Sequence, residues 1–188
     1  MIDQAVANLK PGGHFEAHEL APGFYRARDD PSGARTFTYD PSSPMSHPPP
    51  LRPSPPKKSP SARPASALDE WAADRIEASQ IVSRPIDFAP RLAQSCRDAG
   101  LVNVQEHVFR IPVGPWPRDA RLRDLGAAWR QTILQGLSGD SIALFDAAWS
   151  WNVTEIQGKL TEVRKELMHP DTRAYNCLYV VWGKKPIN

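Results

Sequence analysis

Three ionisable side chains crowd the end of one short segment. Glu16, His18 and Glu19 fall in His14-Phe15-Glu16-Ala17-His18-Glu19-Leu20, which reads as a strand. A carboxylate or an imidazole at the carboxyl end of a strand is placed to take a proton from a reacting nucleophile. In a solvated strand end the same residues are ordinary surface polars. His14 and His18 share the spacing of four found in helical zinc sites. In a strand that spacing holds them about 13 Å apart, too far for one ion, so no metal site is expected. Trp116, in the rigid loop Gly114-Pro115-Trp116-Pro117, is the fourth candidate for contact with a substrate, and Trp129 either lines a pocket or packs a core.

These candidates need elements to position them. Residues 1–10 read as the tail of a helix that ends in Leu9-Lys10-Pro11-Gly12-Gly13, where Gly12 or Gly13 supplies a positive φ. Ser66-Ala67-Leu68-Asp69 is a helix-start signal, followed by Leu68, Trp71, Ala72, Ile76 and Val82 at helical spacing. A second helix starts near Pro90 and ends at Gly100, and Val102 to Ile111 reads as a strand. Leu122, Leu125, Trp129, Ile133 and Leu137 form a helical stripe. Gly136 and Gly139 punctuate it, and a separate short helix is predicted over 141–148. Asn152 and Glu155 form a capping box for a helix that buries Ile156, Leu160, Val163 and Leu167, with Arg164, Lys165 and Glu166 on its solvated face. Tyr175 to Trp182 is apolar on both faces, as a mid-sheet strand covered by helices is. Lys184 and Lys185 read as solvated. The alternation of strands and helices predicts an α/β fold.

Residues 29–67 break this pattern. Eleven of the 20 prolines fall between Pro31 and Pro64. No acidic residue stands between Asp40 and Asp69, while Arg52, Lys57, Lys58 and Arg63 are basic. Such a composition predicts a disordered or polyproline-like insertion between an ordered unit at 1–28 and another at 68–188. Pro53-Ser54-Pro55-Pro56-Lys57-Lys58 fits a loose proline-rich ligand motif, which makes 29–67 the candidate segment for a protein partner.

Bulk properties narrow the class. A net charge of +2 with no interleaved aromatic platform does not point to nucleic acid. No run of about 18 apolar residues is present, so no membrane span is expected. Residues 1–4 carry no leader-like pattern, which predicts a cytoplasmic or nuclear protein in which Cys96 and Cys177 are reduced and buried.

Taken together, Leu9 to Gly13, Arg84 to Pro90, Ala99 to Val104, Pro112 to Asp119, Val163 to Leu167 and Tyr179 to Pro186 resemble the C-terminal half of the class I S-adenosylmethionine-dependent methyltransferases. The similarity is to the fungal LaeA-like branch, whose setting is secondary metabolism. The resemblance implies an incomplete Rossmann-like sheet made of the fifth, sixth and seventh strands, the last inserted antiparallel between the other two. It implies S-adenosylmethionine as methyl donor, with an acceptor left open. The family holds that cofactor with a glycine-rich loop after its first strand and an acid ending its second, and neither has a counterpart here. Gly12-Gly13 runs from helix to strand, the wrong order, so no cofactor-binding residue is assigned. The chain is therefore expected to be a front-less methyltransferase, inactive by itself. The rival expectation is a non-catalytic remnant that serves as a protein-interaction module.

Overall fold

The computed structural model describes residues 2–26 and 66–187. In chain order the elements are α1 (Ile2–Asn8), β1 (His14–Leu20), β2 (Tyr25–Arg26), α2 (Ala67–Ile81), a 3-10 turn (Ala89–Arg91), α3 (Leu92–Asp98), β3 (Val102–Val113), α4 (Ala120–Trp149), α5 (Val153–Met168) and β4 (Ala174–Lys184). The predicted insertion lies outside the described residues apart from Ser66 and Ala67. Those two open α2, where the Ser66 hydroxyl accepts from the Asp69 amide at 3.1 Å.

β4 is the centre of the sheet. β1 runs antiparallel to it from His14 opposite Lys184 to Leu20 opposite Leu178, and β2 continues that pairing at Tyr25 and Arg26. β3 also runs antiparallel to β4, from Val102 opposite Lys184 to Val113 opposite Ala174. The last strand is thus reversed between two strands that run the same way as each other, as the resemblance implied. A bulge between Val102 and Gln105, with Asn103 at φ 52°, shifts the register, so Val102 turns outward at 43% exposure while Val108 is buried.

The two faces of β4 differ. Tyr175, Cys177 and Tyr179 pack with Ala21, Ala89 and Val108, and Val181 packs with Ile2, Val6, Leu92, Cys96 and Leu101. Both thiols are free and buried, and burial pushes Cys177 up to about 12. On the other face, Ala174 joins the core of α2, α4 and α5, built on Leu68, Trp71, Leu137, Phe145, Ile156 and Leu160. Leu178, Val180 and Trp182 remain half-buried there. The double-sided apolar pattern does place β4 mid-sheet, but among the described residues helices cover its second face only at the Ala174 end.

Four local expectations are corrected. The stripe after Asp119 and the predicted short helix are one 30-residue helix. A helix-interior glycine costs about 1 kcal/mol, and the burial of Leu137, Ser141 and Phe145 on the same rod exceeds that. Leu125 is 46% exposed and lies off the stripe. Lys185 is not merely solvated: its Nζ donates to the carbonyls of Val6 and Leu9 at 2.8 Å and of Ala7 at 3.2 Å, completing the end of α1 beside Gly12, whose φ is +76°. Glu166 also leaves the solvated face. It accepts from Arg26 and Ser66 at 2.6 Å and from the Leu68 amide at 3.0 Å. Among the described residues no helix is long and apolar enough to cross a membrane.

Candidate functional site

The chain turns sharply where β1 ends, at Ala21-Pro22-Gly23-Phe24. The Ala21 amide still reaches β4, donating to the Cys177 carbonyl at 2.8 Å. The turn is fixed by Asn176, a buried polar residue on β4, whose Nδ2 donates to the Gly23 carbonyl at 2.8 Å. Asn176 Oδ1 in turn accepts from Trp129 Nε1 at 2.9 Å, which pins α4 to the same point. Amide assignment follows from this pairing, because only one orientation satisfies both partners.

Between this turn, α2, α4 and the connection from α2 to α3 lies a cavity of about 580 Å³. That volume is within the usual range for small-molecule sites. Phe24 stacks on Trp71 with ring centroids 6.0 Å apart. Trp71 is held by its indole N–H, which donates to Ser141 Oγ at 2.9 Å. Pro85, Ile86 and Phe88 form the outer wall, and the Ser79 hydroxyl steadies it by accepting from the Ile86 amide at 3.3 Å.

Charge on the walls is only partly paired, because Arg75 Nε is buried without a hydrogen-bond partner among the described residues. The Arg75 guanidinium lies 4.6 Å from the Trp71 ring centroid and 3.6 Å from Asp140. Burial pulls its pKa below the ordinary arginine value, and Asp140 opposes that shift. Glu19, at the end of β1, also lines the cavity, and no hydrogen bond or ion pair of its carboxylate occurs among the described residues.

Of the residues singled out in the sequence, the cavity gathers Glu19 and Trp129. Glu16 and His18 lie outside it on the exposed face of β1, where they hydrogen-bond to each other at 2.7 Å. Trp116 also lies elsewhere, its Nε1 donating to the Ala174 carbonyl at 3.0 Å at the start of β4. Phe24, Arg75, Asp140 and Asn176 went unnoticed in the sequence. They come from four separate segments, and no spacing links them. The one available signal was Asn176 itself, a lone amide inside an apolar strand.

Among the described residues no glycine-rich loop leads from a strand into a helix, and no group of three or more His, Cys, Asp or Glu side chains is placed to hold a metal.

A reversed terminal strand between two co-directional ones, with a cavity at the carboxyl end of the first, is consistent with part of a methyltransferase fold. The homologues of this chain are fungal methyltransferases and LaeA-like regulators. It is 27% identical over 186 residues to the probable methyltransferase tdiE of Emericella nidulans, covering 99% of this chain and 49% of that protein. It is 28% identical over 186 residues to methyltransferase pytC of Aspergillus terreus, covering 99% of this chain and 48% of that protein. A secondary metabolism regulator of Cochliobolus heterostrophus is 29% identical over 120 residues, 63% of this chain and 39% of the regulator. The chain spans about half the length of the curated methyltransferases it matches. No family profile matches it.

Proposed function

We propose that this chain is the acceptor-holding part of an S-adenosylmethionine-dependent methyltransferase of fungal secondary metabolism. The observation that carries the reading is alignment along 99% of the chain with two fungal methyltransferases. The reversed β4 and the cavity at the end of β1 support it. The cofactor would supply an electrophilic methyl group, and no residue described here is assigned to hold it. The chain's own contribution is orientation: aromatic walls confine the acceptor and exclude water, and Glu19 stands ready to accept the proton that the acceptor loses.

The test is transfer of a labelled methyl group from S-adenosylmethionine in an extract of a metabolite-producing fungus. The chain is supplied alone and together with the portion of the Aspergillus terreus relative that it does not cover. Label transfer that requires this chain is expected in the combined sample. If the combined sample binds S-adenosylmethionine in calorimetry yet transfers nothing, the methyl-transfer reading falls.

A second reading, a non-catalytic interaction module, is favoured by one feature. Among the described residues the outer edge of β1 has no strand beside it, and an open edge is a template for pairing with another chain.

A further inference from the structure

One charged group in the cavity wall lacks the partners its chemistry asks for. Arg75 carries a fork of N–H donors, and its side chain is 19% exposed. Its Nε is sealed from solvent with no acceptor among the described residues. The Asp140 carboxylate stands 3.6 Å from Arg75 Nη2, beyond hydrogen-bond distance. Trp71 does not fill the gap. It is 2% exposed, with Phe24 against its ring and the guanidinium 4.6 Å from its centroid, so it backs Arg75 from inside the wall. Asp140 is 55% exposed and makes no hydrogen bond among the described residues. A largely buried cation with unmet donors is costly to keep, and a bound acceptor accounts for it.

Arg75 and Asp140 set a cation beside an anion, each short of a partner. An α-amino acid does the same, its ammonium and carboxylate joined through one carbon. Against this wall the carboxylate meets Arg75 and the ammonium meets Asp140, so each charge gains an opposite and the ligand adds no net charge. A simple anion would be repelled by Asp140 and Glu19, which line the same cavity. A simple cation would leave the Arg75 donors unmet. The rest of the wall is apolar, from Leu20, Pro22, Pro85, Ile86, Phe88 and Ile133, and suits a side chain of the same character. We propose that this cavity binds an α-amino acid with a large apolar side chain, its carboxylate accepting from Arg75 and its ammonium donating to Asp140. The proposal deepens the methyl-transfer reading, and rests on it, in naming the acceptor class; the binding itself does not depend on methyl transfer.

The experiment is equilibrium dialysis of the full 188-residue chain with L-phenylalanine. The controls are 3-phenylpropionate, which lacks the ammonium, and 2-phenylethylamine, which lacks the carboxylate. Saturable binding of L-phenylalanine is expected, at least about tenfold tighter than either control. Two variants separate the charges. Arg75→Met removes the guanidinium and should erase the preference over 2-phenylethylamine alone. Asp140→Asn, at an exposed side chain, should erase the preference over 3-phenylpropionate alone, with the melting midpoint within a few degrees of the parent. S-adenosylhomocysteine carries the same head group on a nucleoside, so tighter binding of that compound would assign the site to the cofactor and overturn the proposal. Absence of saturable L-phenylalanine binding overturns it too, as does equal binding of either control, or a variant that weakens all three compounds alike. The readout needs no methyl donor. Amino-acid binding without label transfer therefore defeats only the catalytic reading, and label transfer without amino-acid binding defeats only this one.

Discussion

Arg26 and Glu166 lie 140 residues apart in sequence, and Arg26 Nη2 donates to Glu166 Oε1 at 2.6 Å. The same carboxylate accepts from the Ser66 hydroxyl and, through its other oxygen, from the Leu68 amide. Arg26 also donates to Ser66 directly and lies 3.3 Å from Asp69. One partly buried carboxylate on α5 thus joins the end of β2 to the start of α2, at the rim of the layer that carries Phe24 and Trp71.

Burial alone would raise the Glu166 pKa. Hydrogen bonds from Ser66 and the Leu68 amide, with Arg26 beside them, outweigh burial and hold it below the ordinary glutamate range. A depressed folded-state pKa contributes stability above the unfolded value, about 4.3, and loses it as pH falls through the lower folded value. Glu166→Gln should therefore flatten the acid limb of a stability–pH curve measured by urea unfolding. At neutral pH it should cost about 1 kcal/mol, and Glu166→Ala, which leaves three donors without their acceptor, about 2 kcal/mol. An acid limb identical in parent and Glu166→Gln would show that the carboxylate titrates alike in both states.

The same cluster bears on residues 27–65. Arg26 and Ser66 flank them and hydrogen-bond to each other, so a short bridge can join these positions without disturbing either. Loop closure costs about 0.6 kcal/mol per doubling of length, so replacing 27–65 with about six Gly and Ser residues should gain about 1.5 kcal/mol. Thermal melting of that variant checks this. A loss of stability would mean that 27–65 contributes contacts to the core.

Much of this scaffold was legible in the sequence because its signals are local. Asn152 and Glu155 form the capping box their spacing announced, Ser66 caps α2, and Gly12 and Gly100 take positive φ after helices. The place of β4 followed from apolar residues on both its faces. The unity of α4 was not legible, because Gly136 and Gly139 read as breaks while the packing that overrides them is tertiary. Most of the cavity was not legible either. Arg75 counts as a helix-surface charge until Trp71 and Asp140 are seen around it, and Phe24 has no pattern to join. Glu16, His18 and Glu19 sit within four residues of each other, yet of the three only Glu19, nearest the end of β1, lines the cavity, while Glu16 and His18 stay on the exposed stretch of the strand before it.

Two glycines of α4 make opposite predictions. A helix-interior Gly→Ala change ordinarily gains up to about 1 kcal/mol. Gly139 has nothing within 4 Å of an added methyl, so Gly139→Ala should stabilise by about that amount. At Gly126 the added carbon would lie 2.2 Å from the Gly114 carbonyl oxygen, in a crossing so close that the Gly114 amide donates to the Gly126 carbonyl at 2.9 Å. Backbone must move there, so Gly126→Ala should cost about 2–3 kcal/mol. Trp129 follows one turn later, so the displacement should also loosen its bond to Asn176 and shift its fluorescence. Equal effects of the two substitutions in urea unfolding would contradict this crossing.

The half-buried sheet face predicts how the isolated chain behaves in solution. Val180 lies opposite His18 on one side and His107 on the other, with Leu178 and Trp182 along the same face. The outer edge of β1 lies beside this face without a paired strand among the described residues. Apolar surface next to an open edge favours association of like chains. Sedimentation velocity should show a weight-average mass that rises with concentration. Val180→Lys sets a charge in the middle of the face without altering the β4 ladder, so it should shift the chain toward monomer while the melting midpoint stays within a few degrees. A parent chain that sediments as a monomer at every concentration would show that this face and edge do not drive association.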